Sequence, residues 1–326
     1  MPEAQVVTVT GPRDAATLGV VDAHDHLLMD SPGMPGAGFT DVGRSIEEAR
    51  DGLASGISTL VEMTPIGLGR DPAGLRAISE ATGLAIIAAS GFHRDSHYPA
   101  DSWVHQAPVE QLCDRVVTDL TVGMHPRDWL DPSLPLDEAR AGAIKGGASY
   151  HHISRSECRR LEAIAGASAA TGAAVLVHTE IGTAAHEIID LLESAGATTD
   201  RIALAHLDRN PDWELHAEVA ARGVTLEYDT AGRTKYHPDS VVLDLIERVA
   251  GAGHLDRLVL GLDLGSRDYL RAYEGGPGLR YLMASFVPRL RGRIGDEATA
   301  RILVANPARL YAVAPGVGPA GASGTV

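Results

Sequence analysis

Two histidines flank one aspartate, His24-Asp25-His26, at the end of the apolar run Leu18-Gly19-Val20-Val21-Asp22-Ala23. Residues i and i+2 of a strand point to the same side. Two imidazoles spaced in this way can grip one metal ion from a rigid platform, at the distance of about 2.0–2.1 Å usual for zinc–nitrogen bonds. An HxH at a strand end is equally compatible with two ordinary polar residues, so the rest of the chain has to decide. Four more apolar runs end on an ionisable residue: Ala143-Ile144-Lys145, Val175-Leu176-Val177-His178, Ala203-Leu204-Ala205-His206 and Leu260-Gly261-Leu262-Asp263. One such residue is a common strand-end feature; a ring of them is a candidate site.

The set supplies four imidazoles, one carboxylate and one lysine. An ammonium cannot ligate a metal. A desolvated lysine beside cations is pushed towards the neutral amine. That amine can add CO2 to form a carbamate, whose two oxygens can bridge two metals. The arrangement puts His24, His26 and Asp263 on one ion, His178 and His206 on a second, and Lys145, as N6-carboxylysine, between them. Two ions about 3.5–4 Å apart can share a hydroxide and polarise a substrate oxygen. Asp263 is then placed to take the proton of the attacking water and deliver it to the leaving group.

The elements that must position these residues are eight short apolar runs, at residues 19–26, 56–63, 84–90, 142–145, 173–178, 202–206, 223–229 and 258–263. Several are Val/Ile/Leu-rich without alternation, as buried parallel strands are. Helical patterns lie between them, at 45–53 with Ser45 as N-cap and Glu48 at the capping-box position, at 156–170 and at 184–195. Eight strands alternating with helices predict an α/β fold, a (β/α)8 TIM barrel with the metal site at the C-terminal ends of the strands. A doubly wound open sheet is the alternative, weakened by the lack of a GxGxxG after the first run. Surplus length falls at 91–140 and 264–278; the glycine-rich 67–70 and 275–278 read as turns. Residues 1–314 are expected to form a single domain, and the Gly/Ala/Ser/Pro-rich stretch 315–326 a disordered tail.

Of the 326 residues 44% are hydrophobic, enough for a large core. With 28 basic against 43 acidic residues, the net charge of −15 argues against nucleic acid or an anionic membrane surface as partner. Cys113 and Cys158 are the only cysteines, which excludes a disulfide framework or a zinc finger. The start of the chain has no signal-peptide pattern and no run of about 18 apolar residues occurs, so a cytoplasmic location is expected. No Gly-x-Ser-x-Gly elbow is present, which disfavours a serine nucleophile.

Several segments together resemble the phosphotriesterase-like family of the amidohydrolase superfamily. They are Val21-Asp22-Ala23-His24-Asp25-His26, Thr59-Leu60-Val61-Glu62-Met63-Thr64, Ile66-Gly67-Leu68-Gly69-Arg70-Asp71, Ile144-Lys145, Val177-His178-Thr179, His206-Leu207-Asp208, Leu262-Asp263 and Asn306-Pro307-Ala308-Arg309-Leu310. The resemblance covers nearly the whole chain. It implies a binuclear metallohydrolase with a carboxylated lysine, two divalent ions per chain (zinc, with manganese or cobalt as alternatives) and often a homodimer. The loop segments 91–99, 145–150, 228–236 and 263–269 look most like the branch that opens sugar lactones, including phosphorylated pentonolactones. In that branch a lysine after strand 7 and basic and tyrosine residues after strand 8 hold the phosphate, and Lys235 and Tyr269 match those places. Ser266 departs from the pattern, where an arginine directly after Asp-x-Gly is expected; Arg267 lies one place on.

The loops also hold Phe92, Tyr98, Trp103, Tyr150, Tyr228, Tyr236, Tyr269 and Tyr273, in a chain with only 4% aromatics. That bias suits a polyhydroxy substrate better than a long acyl chain. His93, Tyr98, Tyr150, Lys235, Arg267 and Tyr269 are the expected substrate contacts, with Arg271 as a further cation at the rim. His97, His151 and His152 are expected near substrate or solvent. The leading reading is a lactonase; the alternatives are a phosphotriesterase or an amide or ester hydrolase on the same metals. An idle barrel serving as a binding protein would be marked by a missing ligand, and none of the six is missing.

Overall fold

The computed structural model describes residues 4–313; the tail expected at 315–326 lies outside the described residues. A short antiparallel hairpin opens the chain, β1 (Gln5–Thr8) and β2 (Gly11–Asp14). Eight strands follow, all parallel and each paired with the next: β3 (Val21–Asp25), β4 (Thr59–Glu62), β5 (Ala85–Gly91), β6 (Ala143–Ala148), β7 (Val175–Thr179), β8 (Ile202–Ala205), β9 (Thr225–Tyr228) and β10 (Leu258–Leu260). The first and last of them meet where the Leu262 and Asp263 amides donate to the His24 carbonyl at 3.1 and 2.9 Å. A helix follows every strand, from α1 (Val42–Ser55) after β3 and α2 (Pro72–Thr82) after β4 to α8 (Val287–Ala300) and α9 (Asn306–Tyr311) after β10. This is the (β/α)8 barrel the apolar runs predict.

The strands are buried on both faces, which is why their sequences carry no alternation. One apolar cluster fills the barrel interior, with Val21, Val61, Ile87, Leu176 and Val259 above Val6, Leu18 and Tyr311. A larger one packs the outer faces of the strands against the helices. The hairpin closes the N-terminal end, and Gln5 exchanges both backbone hydrogen bonds with Val313 beside it. Chemistry is thereby confined to the opposite, C-terminal mouth.

Helix starts tie the mouth loops down. In α1 the N-cap is Asp41, whose carboxylate accepts from the Arg44 amide at 3.1 Å, and not Ser45 as its type suggested. Ser45 lies inside the helix and donates to the Leu27 carbonyl at 2.6 Å. Glu48, expected in a capping box, is buried and accepts from the amides of Ala272 and Leu279 at 2.8 and 2.9 Å, anchoring the long loop after β10. The true capping box opens α4 (Arg155–Thr171), where Ser154 and Glu157 exchange hydrogen bonds. Glu157 also accepts from the Asp95 amide at 3.0 Å and the Ser149 hydroxyl at 2.7 Å, joining the loops after β5 and β6.

The barrel seam leaves no room at Gly261, where a Cβ would sit 2.7 Å from the His24 backbone nitrogen and oxygen. Gly261→Ala must push β3 away from the segment that carries Asp263. The expected loss is about 1–3 kcal/mol of stability or more, measured by denaturant unfolding, with weaker metal uptake. Wild-type unfolding and uptake in this variant would show that the seam is not rigid.

Candidate metal centre

The strands bring the six predicted ligands to one mouth. His24 and His26 leave β3 on the same side, with ring centroids 5.6 Å apart. The His24 ring stands 5.2 Å from His206, and His206 4.5 Å from His178. Lys145 Nζ donates to His24 Nε2 at 3.0 Å. Asp263 Oδ1 lies 3.6 Å from His24 Nε2 and 3.4 Å from His26 Nε2. Lys145 does not end its strand, as the short run suggested, but sits inside β6, which continues to Ala148. His206 and Asp263 lie just beyond their strands, both in the left-handed region, at φ 65° and 50°. Such backbone is uncommon outside glycine, and His and Asp are among the residues that adopt it most readily. Both kinks fall where a side chain has to swing inward over the barrel.

Each imidazole has one nitrogen engaged by an acceptor. His24 Nδ1 pairs with Glu227 Oε1, His26 Nδ1 with the Thr64 hydroxyl at 2.8 Å and His206 Nδ1 with Asp229 Oδ1 at 2.7 Å. The Thr64 hydroxyl donates in turn to Glu62 at 2.6 Å, so it accepts from His26. His178 uses its other nitrogen, Nε2, on Glu180 Oε2 at 2.9 Å. Burial, with Lys145 adding to it, pushes His24 well below its ordinary value; burial and Arg209 do the same to His206. Burial takes His178 down to about 4 despite Glu180. These rings are therefore neutral at pH 7, each with a lone pair to offer. Burial also lowers the Lys145 ammonium, against the opposing pull of Glu227, Asp263 and Asp229. Burial alone would raise the Asp263 carboxyl, but Arg233, His206, His26 and Arg209 hold it well below the usual range.

Ligand atoms of His24, His206 and Asp263 all lie within 4.8 Å of one another. Neutral, anchored imidazoles around an ionised carboxylate are the donor set of a divalent transition-metal ion, and the residues present fit one. Glu227 and Asp229 also gather around His24, but on the Nδ1 side, where they orient the ring.

Over this cluster opens a cavity of about 380 Å³. His93, Lys235 and Tyr269 line it, as do His97, Arg94, Glu180, Arg209, Arg233, Tyr236 and Ser266. Three expected substrate contacts lie elsewhere. Tyr98 is buried beneath the floor, its hydroxyl accepting from the His93 amide at 2.8 Å and donating to the Ile66 carbonyl at 2.9 Å. Tyr150 is 58% exposed and walls a neighbouring cleft with His151, because β6 runs on to Ala148 before the chain turns outward. Arg267 yields the wall to Ser266 and turns to Tyr273, 5.7 Å from its ring. Arg271 is half-exposed and pairs with Asp51 at 3.2 Å, away from the cavity.

A model of the phosphotriesterase family matches residues 4–311. The chain belongs to that family. A phospho-furanose lactonase of Mycoplasmopsis synoviae is 35% identical over 94% of this chain and 91% of its own length. An amidohydrolase structure from Mycoplasma synoviae superposes with a TM-score of 0.92 at 33% identity, covering 97% of this chain and 94% of the other. A lactonase structure from Listeria monocytogenes reaches 0.85 at 25% identity, with 94% and 98% covered.

In this phosphotriesterase-family chain the residues that sequence reasoning missed are the partners of the candidate ligands. Arg209 and Arg233 both bind Asp263 Oδ2. Glu227 and Asp229 had a usable signal: two acids at i and i+2 in the otherwise apolar run 223–229 must face the same way as one another. Glu180, two residues beyond His178, had none. Asp229 accepts from both Nδ1 of His206 and its backbone amide, at 2.7 and 3.1 Å. Asparagine has one acceptor oxygen and cannot serve both. Asp229→Asn is expected to weaken metal binding by about 10–100-fold, read by chelator competition; unchanged affinity would remove Asp229 from the support of His206.

Proposed function

We propose that this chain is a binuclear metal-dependent hydrolase that opens a polar, sugar-derived lactone, with a phosphorylated substrate included. The observation that carries the reading is the cavity wall itself. The donor cluster lies at the cavity's base, and Lys235, Arg233 and Tyr269 stand together on its side. Lys235 Nζ is 5.8 Å from the Tyr269 ring centroid and the Arg233 guanidinium 5.0 Å from it. The lactonase names of the relatives support the same substrate class.

In this reading His24, His26 and Asp263 would hold one ion and His178 and His206 the other, with Lys145, as N6-carboxylysine, as a ligand common to both. Two divalent ions, zinc or alternatively manganese or cobalt, would supply the acidification of a water and the polarisation of the lactone carbonyl. Asp263, ionised and facing the donor cluster, receives the proton of the attacking water and returns it to the ring oxygen as the ester bond breaks. Lys235 and Tyr269 hold the far end of the substrate, remote from the bond that breaks. The neutral amine of Lys145, which burial favours over the ammonium, is the form that would add CO2.

A homodimer and a cytoplasmic location complete the proposal. Both cysteines are free thiols, which a reducing compartment preserves. Among the described residues no helix is long and apolar enough to cross a membrane.

Elemental analysis of protein grown with zinc or manganese should find about two equivalents per chain. Lys145→Ala should bind metal poorly and lose nearly all lactonase activity, with partial rescue by acetate or propionate. A clean single equivalent in active enzyme, or an active Lys145→Ala protein, would refute the bridged pair. Asp263→Asn should fold and lose about 100- to 10,000-fold in kcat.

Lys235→Ala should raise KM for phosphorylated lactones and leave unphosphorylated ones almost untouched, because it removes binding remote from the chemistry. A screen of lactones with and without a 5-phosphate checks this. An equal effect on both classes would take Lys235 out of phosphate binding.

A further inference from the structure

Three of the four candidate histidine ligands are anchored in the same way, through Nδ1 and from within the barrel. Their acceptors, Glu227, Thr64 and Asp229, are fully buried. His178 is the exception. It is engaged through Nε2, leaving Nδ1 as its free nitrogen, and the acceptor Glu180 stands on the cavity wall with its side chain 24% exposed.

A strained turn directly follows that contact. Glu180 opens a short turn, Glu180–Gly182, in which Ile181 has φ 53° and ψ 42°. A β-branched residue in the left-handed region is a genuine outlier. From the other side, Arg94 Nη2 reaches the same Glu180 oxygen at 2.9 Å. Arg94 sits in the loop after β5, two strands away, and its amide donates to His93 Nδ1 at 2.8 Å.

We propose that Glu180 is the positioning residue for His178: it binds Nε2–H, fixes the tautomer with Nδ1 unprotonated, and is itself held in place by Arg94. An imidazole with a choice of two nitrogens keeps both tautomers populated, and only one of them presents the correct lone pair. Glu180 removes that choice for one metal ligand. Because Glu180 and Arg94 line the substrate cavity, the anchor of this ligand is exposed to the substrate, whereas the other three are sealed. The role rests on the binuclear reading above.

Histidine-ring 15N NMR of the metal-free protein tests the tautomer without metal, and chelator competition tests affinity in the loaded protein. In the parent protein His178 should show a protonated Nε2 and a bare Nδ1. Glu180→Gln keeps an acceptor oxygen and should preserve that signature, with metal affinity within a few-fold of the parent. Glu180→Ala should mix the tautomers and release one of two metal equivalents about 10–100-fold more readily. Arg94→Met should fall between them. A parent His178 protonated at Nδ1, or tight binding of every equivalent in Glu180→Ala, would overturn the proposal. Equal losses in the Gln and Ala variants would also overturn it, since charge and not acceptor geometry would then be acting. If the parent shows the predicted tautomer yet binds fewer than two equivalents, the binuclear reading fails and the Glu180–His178 contact stands.

Discussion

An imidazole that is to present a lone pair must give its other N–H to something fixed, and the mouth of this barrel is organised around that constraint. Glu227, Thr64, Asp229 and Glu180 are the four acceptors. Without them the backbone would still place the rings, but nothing would fix their orientation. Burial then contributes the second requirement. Desolvation disfavours the imidazolium, so His24, His178 and His206 are held neutral. Orientation and neutrality thus come from different sources, one from specific partners and the other from the depth of the cup.

The backbone supplies position by a division of labour. His24 and Lys145 lie within strands, where the ladder fixes them to their neighbours. His206 and Asp263 lie beyond strand ends, at positive φ. Left-handed backbone at non-glycine residues costs free energy that the packed strands and helices around it must offset. It turns the side chains across the mouth instead of along the strand axis. The seam between Gly261 and His24 makes this closure tight, since the residue carrying Asp263 inward is bonded to the carbonyl of a neighbouring ligand. Fold and site are therefore not separable here: the last hydrogen bonds that close the barrel are made by two members of the candidate ligand set.

The barrel was legible in the sequence because strands buried on both faces must be apolar throughout, and eight such runs stood out between helical patterns. The six candidate ligands were legible for a related reason. An ionisable residue after an apolar run has either to be paired or to act, and His24, His26, Lys145, His178, His206 and Asp263 all have that setting. Loop facing was not legible. Tyr98, Tyr150 and Arg267 have suitable types and suitable neighbours, yet local turns point them into the floor, a side cleft and the Tyr273 ring. Arg209 and Arg233 were missed because long side chains act several residues from where they are written. Ser45 and Glu48 form a plausible cap on paper, but the tertiary partners Leu27, Ala272 and Leu279 outbid the helix terminus.

Asp263 shows what the missed residues do. Its two oxygens have separate environments. Oδ2 is gripped by Arg209 and Arg233, and Oδ1 faces the His24 and His26 nitrogens. Two guanidiniums on one oxygen stabilise the ionised form and also fix the plane of the carboxylate. Both arginines stack near Tyr236, at 4.7 and 5.6 Å, which holds them against the wall of the cavity. Beneath them lies an excess of buried acid. Burial raises Asp22 and Asp208 to about 7, and raises Glu227 well above its ordinary value. Buried carboxylates in such number are costly unless positive charge is near. Arg209 and Arg233 provide part of that charge within the chain. Divalent ions among the imidazoles would provide the rest, and an anionic carbamate on Lys145 would be tolerated only beside them. In the proposed reading the electrostatics of the cup would couple lysine modification to metal binding, while Arg233 and Arg209, outside the candidate ligand set, help hold Asp263 in its ionised form.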